Sequence, residues 1–402
     1  MSFGVDGRVT TQIGPANDTA DAVAVQRDGR IVVAGSSYNG ADYDFAVVRY
    51  RPDGALDRTF GSGGIVTTDI AGTDDEVRAI AVQPDGKIVV AGYAAERGYT
   101  GVNVEPDDES AWALVRYTRD GRLDPTFGTG GKVTSAPRPW LNGAYGLAVQ
   151  RDGRIVVSGF SSNAVDLDFA LARYHADGSL DSTFGNGGFV ISAFSHGNEI
   201  ANGLALQRDG KILVAGPSGP GDVYEVAVAR YLPTGALDRT FGRRGVAWAS
   251  NGRGSDEALA VAVQPDGKPV AAGWSYDANG YDFGVTRFRA NGAPDPAFGH
   301  DGRATTAIGT GEDMGLAVAV QPGGKIVVAG HSANPSDWDF SLAEYLPNGR
   351  LDRTFGSDGT VLTDFSAGDG ARAVAVQPDG KIVVAGYAAN GRVFAVARYL
   401  AG

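Results

Sequence analysis

The chain has 402 residues, a net charge of −12 and no cysteine, which excludes disulfides, thiolate zinc ribbons and cysteine nucleophiles. The acidic balance argues against nucleic acid and anionic membranes as partners, and no apolar run reaches the roughly 18 residues of a membrane span. Glycine, at 60 residues, is about twice its usual share without a collagen period, so tight turns must be frequent.

The chain opens on Ser2-Phe3-Gly4-Val5-Asp6-Gly7, followed by a short strand-like run, Arg8-Val-Thr-Thr11. A string Gln-(Pro/Arg)-(Asp/Gly)-Gly-(Lys/Arg) then begins at Gln26, Gln83, Gln150, Gln207, Gln264, Gln321 and Gln377. The intervals are 57, 67, 57, 57, 57 and 56 residues, the ten extra residues lying within 95–111. Five of the six lysines fall in this one turn. Each unit holds four strand-like runs. In the second they are Arg78–Val82, Lys87–Gly92, Ala113–Tyr117 and Lys132–Thr134. Asp-Gly turns between β-branched runs signal hairpins. Ile-Val-Val-Ala has no polar alternation, so both faces of that strand should be covered. A second string, Leu-Asp-x-Thr-Phe-Gly or a close variant, follows the third strand and places Phe60, Phe127, Phe184, Phe241, Phe298 and Phe355. The seventh copy is the Ser2-Phe3-Gly4 fragment, and the chain stops at Arg398-Tyr-Leu-Ala-Gly402, just before that string is due.

No helical period of useful length interrupts the pattern. Seven four-stranded antiparallel units with complementary terminal fragments predict an all-β, seven-bladed β-propeller forming one domain over 1–402. The N-terminal strand, within 1–13, should complete the blade of residues 365–402; six full blades are expected at about 14–70, 71–137, 138–194, 195–251, 252–308 and 309–364. An open solenoid is the rival, but its termini would not complement each other.

The units resemble the delta-60 repeat, an uncharacterised β-propeller repeat of bacterial, mostly exported, proteins. The motifs that carry the resemblance are Gln83-Pro-Asp-Gly-Lys-Ile-Val-Val-Ala-Gly92 and Leu56-Asp-Arg-Thr-Phe-Gly61, each repeated along the chain. The resemblance implies the propeller fold and an extracytoplasmic setting. It implies no reaction and brings no catalytic residues.

Strand order places the Gln turn and the Leu-Asp string on one face, nearly identical in all units. The second-to-third and fourth-to-first loops lie on the other, which varies and is where function is expected. The repeated Asp57, Asp124, Asp181, Asp238, Asp295 and Asp352 are read as structural turn-closers. Their position resembles that of the Asp-box turns of sialidase-like propellers, which are also structural. Arg49, Arg116, Arg173, Arg230, Arg287 and Arg398 should pair with a carboxylate near the blade edge, although the sixth unit has Glu344 there.

Eight residues before each repeated Gln stands Asp18, Asp75, Asn142, Glu199, Asp256, Asp313 or Asp369. This row is expected in the loop entering the innermost strand, around the mouth of a central channel. One reading makes each side chain a cap of its own loop. The other makes the six acids a cation site, since hard oxygen ligands suit Ca²⁺ or Mg²⁺. Aromatic residues gather on the same face: Tyr38, Tyr43, Tyr99, Trp274, Tyr276, Tyr281 and Trp338 in the second-to-third loops, Trp140 and Tyr145 in the fourth-to-first loops, with His196 and His331 nearby. Flat rings among short polar side chains suit a sugar; the opposing reading packs them between blades. The long loop Glu96–Trp112, with Tyr99, Glu105, Asp107, Asp108 and Glu109, is the strongest blade-specific candidate.

No nucleophile elbow or phosphate loop is present: Gly216-Pro-Ser-Gly-Pro220 ends in proline, and Gly130-Gly131-Lys132 runs into Val133. The favoured reading is a non-catalytic binding propeller taking a glycan, protein or small molecule on its variable face. The alternatives are a hydrolase or lyase using channel-mouth carboxylates, with Ca²⁺ assistance, and a structural ring. Residues 1–25 show no signal-peptide pattern. Because Ser2-Phe3-Gly4 lacks its preceding Leu-Asp, Met1 is expected to replace a removed export segment. A secreted bacterial monomer is expected.

Overall fold

The computed structural model describes residues 3–95, 110–163, 165–195, 197–219, 223–250, 254–277 and 280–402. Among the described residues there are twenty-eight strands and no helix. They pair as seven four-stranded antiparallel sheets, the blades of a seven-bladed β-propeller. Six sheets take their strands in chain order; the first holds Asp18–Val25, Ile31–Tyr38, Tyr43–Tyr50 and Ile65–Thr68. The seventh runs Arg8–Thr11, Val393–Tyr399, Ile382–Ala388, Gly370–Val376. Arg8 pairs with Ala397 and Thr11 with Phe394, so the N-terminal strand completes the sheet of the C-terminal strands.

The chain divides into two compact units: Met1–Ala193 with Ala385–Tyr387 and Gly391–Arg398, and Phe194–Val384 with Ala388–Asn390 and Tyr399–Gly402. In the first, Val32, Phe45, Val47, Val77, Ile88 and Val90 pack between neighbouring sheets. In the second, Val270, Phe283, Val285, Ile326, Val328 and Tyr345 do the same. The unalternated Ile-Val-Val-Ala strands are buried along their length because each sheet is covered on both sides. Each such Val or Ile contributes about 1.5–3 kcal/mol.

The first strands are longer than the hydrophobic pattern predicts. Asp75–Val82 begins at the acid row itself, not three residues later, because pairing runs on to Asp75 opposite Ala94. The strand then carries a bulge between Val77 and Ala79, repeated at Ala20/Ala22, Ala144/Gly146, Ala258/Ala260 and Gly315/Ala317. This bulge explains the glycine of Ile-Val-Val-Ala-Gly: a Cβ on Gly92 would lie 1.9 Å from the Glu76 carbonyl oxygen.

The Leu-Asp string and the repeated arginine turn out to be partners. Arg49 Nε donates to Asp57 Oδ2 at 2.9 Å, Arg30 Nε donates to the same oxygen at 2.8 Å, and Thr59 Oγ1 donates to Oδ1 at 2.7 Å. The Arg49 guanidinium also lies over the Phe60 ring, 4.6 Å from its centroid. The pair recurs as Arg116–Asp124, Arg173–Asp181, Arg230–Asp238 and Arg287–Asp295. In the sixth blade Glu344 reverses the charge, and Lys325 Nζ meets it at 3.0 Å.

Candidate functional site

The acid row is buried, and the carboxylates turn toward the loops that precede them. Asp18 Oδ2 accepts from Ile13 N at 2.7 Å, and its Oδ1 accepts from Ser37 Oγ at 2.6 Å. Glu199 accepts from Phe194 N at 2.9 Å and Ser218 Oγ at 2.7 Å. Asp313 accepts from Ile308 N and Gly309 N at 2.7 and 3.0 Å. Asn142 plays the same part as an amide, accepting from Ser161 Oγ at 2.8 Å. Asp256 is likewise buried. Asp75 and Asp369 share the loop bond, from Ile70 N at 2.7 Å and Phe365 N at 2.8 Å, but stand among further acids. Burial first, and the neighbouring Asp69 and Asp44 charges after it, push the Asp75 carboxyl up to about 7. Burial, with Asp339 and Asp364 adding, pushes Asp369 up to about 6.

The aromatic residues form separate groups. Tyr38 and Tyr43 face each other across a hairpin, ring centroids 5.4 Å apart. In the fifth blade Tyr281 lies between Trp274 and Tyr276, at 4.8 and 4.7 Å, and Tyr276 is 43% exposed. In the sixth, the half-buried rings of His331 and Trp338 meet edge to face at 4.7 Å. Burial first, then Arg372, lowers His331 to about 4, so its imidazole is neutral near pH 7. Trp140 is 37% exposed. Tyr145 is half-buried against Phe160, with the Arg78 guanidinium 5.3 Å from its ring centroid. Tyr99, His196 and most of the loop Glu96–Trp112 lie outside the described residues.

The bulges place side chains that sequence spacing did not single out as a set. In the unit containing residues 1–193 the bulged positions are Asp21, Arg78 and Tyr145. Arg78 donates to Glu76 Oε2 at 2.6 Å, lies 3.8 Å from Asp21 Oδ1 and covers Tyr93 as well as Tyr145. The signal was available three residues after each row member, but only the two-against-one pairing turns that residue inward. In the other unit Glu257 pairs across the strands with Trp274, and burial pushes its carboxyl up to about 7. A cavity of about 730 Å³ lies at the other end of these strands, against Gln207, Gln264, Gln321, Gln377, Lys211 and Arg230. The near-invariant turns, not the variable loops, therefore line it.

The family model described as "Domain of unknown function (DUF5122) beta-propeller" matches residues 26–60, 83–127, 150–184, 207–241, 264–298, 321–355 and 377–402. The fold is similar to that of a catalytically inactive virginiamycin B lyase from Staphylococcus aureus with quinupristin, at 10% identity and a TM-score of 0.54, covering 98% of this chain and 99% of that one. It is also similar to a streptogramin B lyase structure, at 11% identity and a TM-score of 0.53, covering 98% of this chain and 97% of that one. At such identities the likeness extends to the fold alone. A comparison with curated proteins returned no match. With seven matched repeats spread over its length, the chain belongs to the DUF5122 β-propeller family.

Proposed function

We propose that this DUF5122 propeller is a non-catalytic binding module that takes a glycan on its variable loop face. The observation that carries the reading is the Trp274–Tyr281–Tyr276 group, with Tyr276 43% exposed. Edge-held rings present flat faces to pyranose C–H groups at little entropic cost, because packing already fixes them. The test is a polysaccharide and glycan binding screen on the full chain, repeated with Trp274→Ala and Tyr276→Ala. Binding that falls at least tenfold in both variants supports the reading; a hit that both variants leave unchanged, or no hit at all, sinks it.

A hydrolase or lyase is the second reading, favoured by Glu257, whose carboxyl at about 7 suits a general acid. Burial is the only cause of that shift among the described residues. The Gln-Pro-Asp-Gly and Leu-Asp-x-Thr-Phe-Gly strings support placing the units with the delta-60 repeat. That placement supports an exported bacterial protein, as the delta-60 repeat is found mostly in such proteins.

A further inference from the structure

Two of the seven row members depart from the pattern of the rest. The residue 19 places after each member is Ser37, Ser161, Ser218, Ser275 or Ser332 in five blades, but Ala94 after Asp75 and Ala388 after Asp369. Ser37, Ser161 and Ser218 donate to their row members; alanine has nothing to donate, and Asp369 Oδ1 accepts from Phe340 N at 2.8 Å instead, while Asp75 Oδ1 is left without a partner. These same two members are approached by a pair of aspartates from the preceding sheet. A carboxylate oxygen from each of Asp44, Asp69 and Asp75 lies within 4.8 Å of the other two, and Asp339, Asp364 and Asp369 repeat the arrangement.

Buried oxygens in both clusters have no donor. Asp44 Oδ1, Asp75 Oδ1 and Asp339 Oδ1 are without a hydrogen-bond partner, on residues exposed by 9%, 0% and 8%. An anionic oxygen buried without a partner is costly, and three carboxylates so close repel one another. The other oxygens are fixed: Asn39 Nδ2 donates to Asp44 Oδ2 at 3.0 Å and Asn334 Nδ2 to Asp339 Oδ2 at 2.6 Å. Asp69 and Asp364 are exposed, which leaves room for water.

The third blade supplies an internal comparison. It has the same hairpin, with Asn163, Asp166 and Asp168, but Ala193 stands 25 residues after Asp168, where Asp69 and Asp364 follow Asp44 and Asp339. There Arg138 Nη1 pairs with Asp168 Oδ2 at 2.6 Å. In that blade an arginine pairs with the hairpin aspartate and the extra aspartate is missing. Lys132, the cation beside the first cluster, reaches the Asp69 main-chain carbonyl.

We infer that Asp44, Asp69 and Asp75 bind one divalent cation of the calcium class, and that Asp339, Asp364 and Asp369 bind a second. Ca²⁺ takes oxygens at about 2.3–2.6 Å in a loose shell, which three carboxylates at this spacing plus water satisfy; Mg²⁺ demands about 2.1 Å and strict octahedral geometry. Each ion would tie a hairpin to the first strand of the next sheet. The inference stands apart from the glycan reading, since it concerns the chain without a ligand.

The test is calorimetric titration of the EDTA-stripped full chain with Ca²⁺ and, separately, Mg²⁺, together with melting in EDTA and in Ca²⁺. Two Ca²⁺ per chain, a higher Tm in Ca²⁺ and at least tenfold weaker Mg²⁺ binding are expected. Asp44→Asn should remove one site, Asp339→Asn the other, and Asp18→Asn neither. If the double variant does not fold, Ala94→Ser with Ala388→Ser replaces it, and should weaken Ca²⁺ at least tenfold by giving each cluster a hydroxyl donor. Tb³⁺ emission sensitised by Tyr43 and Trp338, the residues before Asp44 and Asp339, reports the two sites separately. No Ca²⁺ bound by the wild type, two bound by the double variant, or equal affinity for Mg²⁺ overturns the inference.

Discussion

Replacing Ala94 with serine should stabilise the metal-free protein. Asp75 Oδ2 already accepts from Ile70 N at 2.7 Å, whereas Oδ1 is buried with no donor. Position 94 pairs with Asp75 as position 37 pairs with Asp18, and there Ser37 Oγ donates to Oδ1 at 2.6 Å. A hydrogen bond to a charged group is worth about 1.5–3 kcal/mol. The gain should depend on pH. Burial chiefly holds Asp75 at about 7 in the fold, against an ordinary value of 3.8 for the free side chain. A carboxyl raised in this way costs no stability below pH 3.8; the cost grows as pH rises from there and is complete above pH 7. Ala94→Ser relieves that cost, so it should add about 1.5–3 kcal/mol at pH 8 and less than about 1 kcal/mol at pH 4. Urea unfolding in EDTA at the two pH values measures both, with an unchanged m-value as the check on the unfolded state. A variant no more stable than wild type at pH 8, or equally stabilised at both, would refute the reasoning.

Asp57→Ala leaves the buried Arg49 guanidinium without its carboxylate, and should cost about 3–5 kcal/mol in urea unfolding; a loss under about 1 kcal/mol would show that Thr59 and the Phe60 stack suffice. Acid should unfold the protein through the same turns. Burial works to raise Asp57, Asp181 and Asp238, but their threonine and arginine bonds outweigh it and hold each at about 2. Their stabilisation is therefore present above the ordinary carboxyl range and lost as pH falls through 2, so near-ultraviolet circular dichroism should collapse between pH 4 and pH 2, and an intact signal at pH 1.5 would contradict this.

The period near 57 residues, the Asp-Gly turns and the split terminal repeat were enough to specify four-stranded blades and the strand that completes the seventh, because hairpin register is a local property. The repeated arginine and the Leu-Asp string could each be seen, eight residues apart, yet their pairing waited on the turn that brings Arg49 Nε to Asp57. The acid row was legible as a row, and its role as a loop cap follows from residues four or five positions away, as Ile13 and Gly14 cap onto Asp18. That these acids meet was not legible, although the 25-residue spacing of Asp44 from Asp69 and of Asp339 from Asp364 is there in the sequence. Asp44, Asp69 and Asp75 lie on a third strand, beyond a fourth strand and at the head of the next sheet, and the spacing alone does not say that their carboxylates converge. Sequence settles what neighbours in a hairpin must do, since their separation is fixed by covalent geometry. Only the packing of one sheet on the next decides which carboxylates share a site, because that distance is set by the side chains between them.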